Sequence, residues 1–210
     1  MSNIADPAET VATQKRYDRI ASIYNFMEIV PELIYKHWRK KVWSNVKGGT
    51  ILEIGVGTGK NLPFYPSDTN VVAVDLSSKM LYQAHQKVVN QNFHGNLSQM
   101  DAQVLSIKSS TFDTVIATFV FCSIPDPIVA LEEIKRVLKP DGQVILLEHM
   151  RSKYVALGKI MDVFDPLVYP FTGPHINRET VKNVMTAGLT VNTVYELDPF
   201  GIFRLIYATK

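Results

Sequence analysis

Three acids and three glycines, set close together in the first half of the chain, have the types and spacing to do chemistry. Residues 51–66, ILEIGVGTGKNLPFYP, begin like a buried strand yet carry Glu53, then Gly55, Gly57 and Gly59 at alternate positions. Glycines where a strand turns into a helix let the backbone bend sharply and let a ligand reach the main chain. The spacing departs from a dinucleotide fingerprint because Lys60 stands in the third glycine's place, and no Gly-Lys-Ser/Thr completes a P-loop. An acid ending a buried strand must be paired or must face donors or positive charge, and Glu53 would repel a phosphate. A second run, VVAVD, ends in Asp75, placed to accept the two hydroxyls of a ribose. A third, QMDAQ, sets Asp101 beside Ala102, where a carboxylate can receive an exocyclic amino group. A nucleoside with a cationic, amino-bearing tail satisfies all three acids.

The elements that must position these residues follow from periodicity. Residues 10–46 place Ile20, Ile23, Tyr24 and Met27 at helical spacing, and Pro31 divides the segment into two helices, an N-terminal cap. After it, β-branched runs at 50–54, 70–75, 112–119 and 143–148 alternate with helical patterns at 77–91 and 127–138. That order predicts an α/β fold, a Rossmann-like, mostly parallel sheet with helices on both faces. Strands near 190–195 and 203–209, separated by Asp198-Pro199-Phe200-Gly201, suit an antiparallel edge pair. Ligands of such sheets bind beyond the carboxyl ends of the strands, where the glycine loop falls. We expect one domain: 1–47 a helical cap or lid, 48–150 the cofactor-binding core, and 151–210 an acceptor-side insertion with a terminal β-hairpin.

Composition narrows the function classes. A net charge of +2 over 210 residues gives no field that calls for a nucleic-acid partner. One cysteine, Cys122, cannot form an internal disulfide and fits a reducing compartment. Charged residues interrupt the first thirty positions, unlike a secretory signal, and the longest apolar stretch, 115–124, is far short of the roughly 20 residues of a spanning helix. The expectation is a soluble, cytoplasmic protein. His37, His85 and His94 show no metal-ligand spacing with cysteine or acid, so no metal is expected.

Taken together, ExGxGTG, the acid ending the next strand followed by LSSKML, the MDA segment, FDTVIATFVFCSI and EEIKRVLKPDGQVILLEH resemble the successive motifs of class I S-adenosylmethionine-dependent methyltransferases, across residues 50–149. The resemblance implies a seven-stranded sheet and S-adenosylmethionine as cofactor, with S-adenosylhomocysteine as product. It places Glu53 and the loop Gly55, Val56, Gly57, Thr58 and Gly59, with Asn61, at the methionine portion, and Asp75 at the ribose. Leu76, Met80, Asp101 and Ala102 fall around the adenine, and Thr118, Phe119 and Val120 under the methionine moiety. YDRIASIYNFME is similar to the entrance helix of ubiquinone/menaquinone and bacterial phospholipid N-methyltransferases, which implies that Tyr17 and Tyr24 approach the cofactor. FVFCSIPDP, LLEHMRS and DPLVYPFTGPHINRET look like the alkyl-thiol methyltransferase group, without that group's N-terminal hydrophobic anchor.

Methyl transfer from a sulfonium needs a base only when the acceptor is protonated, as a thiol or ammonium is. His149 and His175 are the catalytic candidates; the plainer readings are a histidine fastening a loop and a histidine bonded to backbone, with Asn177 as the next helix's N-cap. Arg178 either holds an anionic acceptor group or is a solvated first-turn residue. Cys122 reads as a buried small hydrophobe. Tyr169, Phe171 and Phe200 are expected in an apolar acceptor pocket. Residues 36–47 hold five Lys/Arg, no acid, and both Trp38 and Trp43. They read either as a surface for peripheral contact with anionic membrane or as an amphipathic helix with its tryptophans in the core. The expected acceptor is a phospholipid-type amine or a hydrophobic thiol, with a quinone-precursor carbon as the alternative. A regulatory protein that binds the cofactor without transferring the methyl is the rival from another class.

Overall fold

The computed structural model describes residues 6–46, 48–89 and 95–210 and the backbone, though not the side chain, of residue 171. His94 and Lys47 therefore lie outside the described residues, as does the Phe171 side chain. Seven strands, β1 (Thr50–Ile54), β2 (Asn70–Asp75), β3 (Gly95–Gln99), β4 (Phe112–Thr118), β5 (Leu138–His149), β6 (Thr190–Glu196) and β7 (Phe203–Thr209), form one sheet in the order β3-β2-β1-β4-β5-β7-β6. All pairings are parallel except those of β7, which runs antiparallel between β5 and β6. Strand order reverses between β1 and β4, so the crevice in which open α/β sheets bind ligands opens at the carboxyl ends of these two strands.

Apolar residues on both faces of the strands build two cores. On one face Leu52, Ile54, Val115, Ala117, Val144 and Leu146 meet Leu131 and Ile134 of helix α4 (Pro127–Val137). The other face presents Ile51, Ile116, Ile145 and Leu147 to Val42 and Trp43 of α2 (Ile29–Ser44) and to Leu81 and Ala84 of α3 (Ser78–Val88). Alternation along β1 puts Glu53 on this second face, beneath α2. The cap begins with α1 (Pro7–Met27), and the two cap helices part at Glu28 rather than at Pro31, which sits in the first turn of α2 where its missing N–H costs nothing.

Two further helices complete the fold. Helix α5 (Val155–Thr172), which periodicity did not reveal, contains Pro166 and Pro170, and α6 (Thr180–Thr186) is preceded by Glu179 at its N-cap. Asn177 is therefore not the cap residue; its amide reaches Asp162 at 3.4 Å. Asp126 caps α4 firmly, accepting from the Ile128 and Val129 amides at 3.0 and 3.1 Å. Asp126→Ala is expected to cost about 1 kcal/mol of stability, read as a lowered midpoint in urea unfolding with an unchanged slope.

Candidate functional site

The crevice holds a cavity of about 890 Å³, its solvent-open mouth included. The glycine loop forms one wall, with φ of +69° at Gly55, +55° at Gly57 and +79° at Gly59. A side chain on Gly57 would meet no atom within 4 Å, so the main chain there lies open, whereas one on Gly59 would strike Leu62 at 2.4 Å. Gly57 thus bares backbone to the cavity, while Gly59 allows the loop to pack on the residues that follow. Val56 and Thr58 also line the wall; Gly59 and Asn61 do not.

Asp75 lines the cavity at the tip of β2. Its Oδ2 accepts from the Gly57 amide at 2.7 Å and its Oδ1 from the Ser77 amide at 2.8 Å. A carboxylate has about four acceptor sites, and the Leu76 amide also draws on it, so acceptor capacity remains for a ligand hydroxyl. Desolvation pushes its pKa up to about 6 against the pull of those amides. Leu76, Met80, Asp101 and Ala102 continue the wall. Asp101 is engaged locally: its oxygens accept from the Gln103 backbone amide at 2.9 Å and from the Gln103 side chain at 3.1 Å.

Glu53 does not reach the cavity. It is fully covered, its Oε1 accepting from Asn61 Nδ2 at 2.6 Å and its Oε2 from the Tyr65 hydroxyl. Apart from Lys60, the charged group at this part of the wall is Arg39, from α2, which donates to Asn61 Oδ1 at 3.1 Å, Thr118 Oγ1 at 2.8 Å and Glu32 at 3.1 Å. Its guanidinium also lies 5.3 Å from the centre of the Phe119 ring. Sequence reasoning missed this residue, taking it with Lys36, Lys40 and Lys41 for the charged face of α2. Arg39 is buried, as is Trp43, while Trp38 packs on Tyr35 and Phe203, so the tryptophans do not offer themselves to a lipid headgroup.

Past β4 the chain turns through Phe119, a non-glycine residue at φ +59°, where Val120 and Ser123 join the cavity wall. The turn is fastened by the fully buried Glu148, whose Oε1 accepts from the Val120 and Phe121 amides at 2.9 and 3.2 Å. Its Oε2 has no partner among the described residues, and burial pushes its pKa up to about 8. Cys122 is buried behind the turn, and burial raises its thiol pKa.

Helix α1 covers the cavity by polar latches. Asp18 accepts from the Ser77 hydroxyl at 2.6 Å and the Lys79 amide at 3.2 Å at the start of α3, where a helix N-terminus favours an anion. Asn25 accepts from Thr58 at 2.8 Å and donates to Gln83 at 2.8 Å. These bonds hold Tyr17 and Tyr24 in the cavity wall, with the Tyr17 hydroxyl 2.5 Å from Ser123 Oγ.

The two histidines sit differently from expectation. His149 is away from the cavity, donating from Nε2 to the His175 carbonyl at 3.1 Å, and burial lowers its pKa. His175 is held by its amide on the Cys122 carbonyl at 2.8 Å, its Nδ1 2.7 Å from Asp165 and its ring stacked 3.8 Å from Tyr169. Phe200 projects from the turn between β6 and β7, 58% exposed, and does not line the cavity. Arg178 precedes α6 and reaches the Ile124 carbonyl at 2.8 Å. No metal-ligand cluster occurs among the described residues.

Comparison with known proteins agrees with this fold. The family described as "Methyltransferase domain" matches residues 52–146. A ubiquinone/menaquinone biosynthesis C-methyltransferase of Teredinibacter turnerae is 32% identical over 187 residues, 84% of this chain and 74% of that protein. A phosphatidylethanolamine N-methyltransferase of Cereibacter sphaeroides is 39% identical over 107 residues, 50% of this chain, and the match spans only 53% of that enzyme's length. A thiol S-methyltransferase of Rattus norvegicus is 29% identical over 157 residues, covering 72% of this chain and 64% of the relative. Among solved structures, a SAM-dependent methyltransferase from Thermotoga maritima superposes with a TM-score of 0.71 at 22% identity, covering 92% of this chain and 98% of the other, a likeness of fold alone.

The buried acids set a pH dependence. Glu53 is pushed up to about 7 and Glu148 to about 8, both chiefly by desolvation. The folded protein then holds protons that the unfolded chain releases above the ordinary carboxylate range, so their stabilising contribution is complete below about pH 4.5 and is lost as pH rises through about 8. Asp113, held down to about 2 chiefly by Lys139, acts only in acid. The melting temperature of the ligand-free protein should therefore fall from about pH 5 to about pH 8. Glu148→Gln should flatten that slope; a melting temperature that climbs over the same interval would contradict the assignment.

Proposed function

Because this chain belongs to the class I S-adenosylmethionine-dependent methyltransferases, we propose that it methylates a small apolar or membrane-associated acceptor, a phospholipid-type amine or a hydrophobic thiol, leaving S-adenosylhomocysteine. The observation that carries this reading is the cavity at the β1/β4 crevice, where Asp75 keeps free acceptor sites beside bare glycine backbone. These residues fit an adenosyl cofactor. Asp75 would hold the ribose, Leu76, Met80, Asp101 and Ala102 the adenine, and the glycine loop with Arg39 and Thr118 the amino-acid end. When bound, the sulfonium supplies an electrophilic methyl carbon.

What the chain itself adds is positioning and proton handling. Tyr17, Tyr24 and Phe119 narrow the cavity and exclude water, and holding reactants in line is worth roughly 7–11 kcal/mol. The loop of His175 is bonded to Cys122, one residue from Ser123 in the cavity wall. His175 does not itself line the cavity; with Asp165 accepting from Nδ1–H, Nε2 is left as the acceptor, the tautomer suited to take a proton from a thiol or ammonium. His175 is thus the favoured base and His149 its tether. A second reading, a quinone-precursor C-methyltransferase, draws support from the C-methyltransferase relative that aligns along 84% of the chain.

Incorporation of labelled methyl into a phospholipid extract, a panel of alkyl thiols and a demethylated quinone separates these readings. Label in lipid or thiol is expected; label in the quinone alone would favour the second reading, and no labelled product would contradict methyl transfer. His175→Ala should lower kcat by about 10²-fold or more. Asp75→Ala should weaken S-adenosylhomocysteine binding by about 1–3 kcal/mol in calorimetry, and unchanged affinity in a folded variant would misplace the ribose.

A further inference from the structure

The corner where α1 meets α2 presents large apolar side chains to solvent. Phe26, Val30 and Leu33 are 78%, 73% and 79% exposed, and Ile23, Met27, Ile29 and Ile34 are exposed beside them. Soluble monomers seldom leave so contiguous an apolar group uncovered without an interaction to serve. The two acids of the corner project little charge: Glu32 pairs with Arg39 at 3.1 Å, and Glu28 is half-buried.

Each arm behind the corner carries exposed cations. On α1, Lys15 and Arg19 lie on the stripe that runs to Phe26; on α2, Lys36 and Lys40 continue the stripe from Leu33. At 1.5 Å per residue, Arg19 stands roughly 10 Å behind Phe26, and Lys40 roughly 10 Å behind Leu33. Interfacial helices bury their apolar side about 5–10 Å deep, with cations at the level of the headgroups. An apolar tip with a basic collar at that depth is complementary in charge as well as polarity to an anionic bilayer.

We propose that the α1–α2 corner inserts into the surface of an anionic membrane, Phe26, Val30 and Leu33 entering the acyl boundary and Lys15, Arg19, Lys36 and Lys40 meeting headgroups. Tyr24 and Arg39, on the same two helices, line the cavity, so docking brings helices of the cavity wall to the bilayer. This surface is the same whichever acceptor is methylated. The surface is formed by the corner and not by the tryptophans of α2, which was one of the two readings of residues 36–47.

Vesicle flotation of the full chain tests it. The protein should rise with phosphatidylglycerol-containing vesicles, less with pure phosphatidylcholine, and less as salt increases. Phe26→Ser with Leu33→Ser should cut partitioning at least about tenfold. Lys36→Gln with Lys40→Gln should cut it by about fivefold per lysine. Val163→Ser with Phe164→Ser, on the exposed apolar face of α5, should leave it unchanged. Absence of vesicle binding, or loss in the α5 variant with none in the corner variants, would overturn the proposal. So would a dimer in gel filtration that the Phe26/Leu33 variant splits, since a second copy would then cover the corner.

Discussion

A guanidinium buried among its neighbours governs the arrangement of the site. Arg39 is almost fully covered, and its donors go to Glu32, Asn61 and Thr118, with Asn61 passing the link on to Glu53. Burying a charge without partners costs far more than burying it in a complete network. The network therefore ties α2 from the cap to β1 and β4 of the sheet, and fixes where the cavity wall lies. Beside it, Glu148 fastens the turn after β4 from below, so the floor of the site is set by carboxylates that prefer to stay protonated.

The cap is attached by different physics. Helix α1 sends only Thr13 and Ala21 into the buried interior and holds on mainly through Asp18, Asn25 and Tyr17. Segments with few buried apolar contacts and exposed hydrogen bonds open at low free-energy cost. The bonds that close α1 over the cavity are thus mainly polar, while the two cores hold the sheet beneath. The family relationship and the cavity agree on the cofactor, and α1 and α2 supply Tyr17, Tyr24 and Arg39 to the cavity wall.

How much of this was legible in the sequence depends on whether the deciding contact was local. The strands β1, β2, β4 and β7 were visible because β-branched runs are bounded by glycine, proline or acid, and Asp75 was visible because it ends one of them. Glu53 was recognised as an acid needing partners, but these proved to be Asn61 and Tyr65, brought back by the short turn Leu62–Phe64, with Arg39 behind them from an earlier helix. No spacing rule links those positions. Arg39 also sits in a basic run, where a single inward-facing member looks like its neighbours. Helix α5 was hidden because Pro166 and Pro170 read as breaks and because its exposed face is apolar, which removes the usual contrast between the two sides of a helix. Asp165 beside His175 was equally unreadable, since it depends on the loop after α5 folding back on the turn after β4.

The central claim is that the crevice between β1 and β4 selects an adenosyl sulfonium over a dinucleotide phosphate. Titration calorimetry of the wild-type protein with S-adenosylmethionine and with NAD tests it most directly. The expected result is one S-adenosylmethionine bound per chain with no measurable heat from NAD; saturable NAD binding, with none for S-adenosylmethionine, would contradict it.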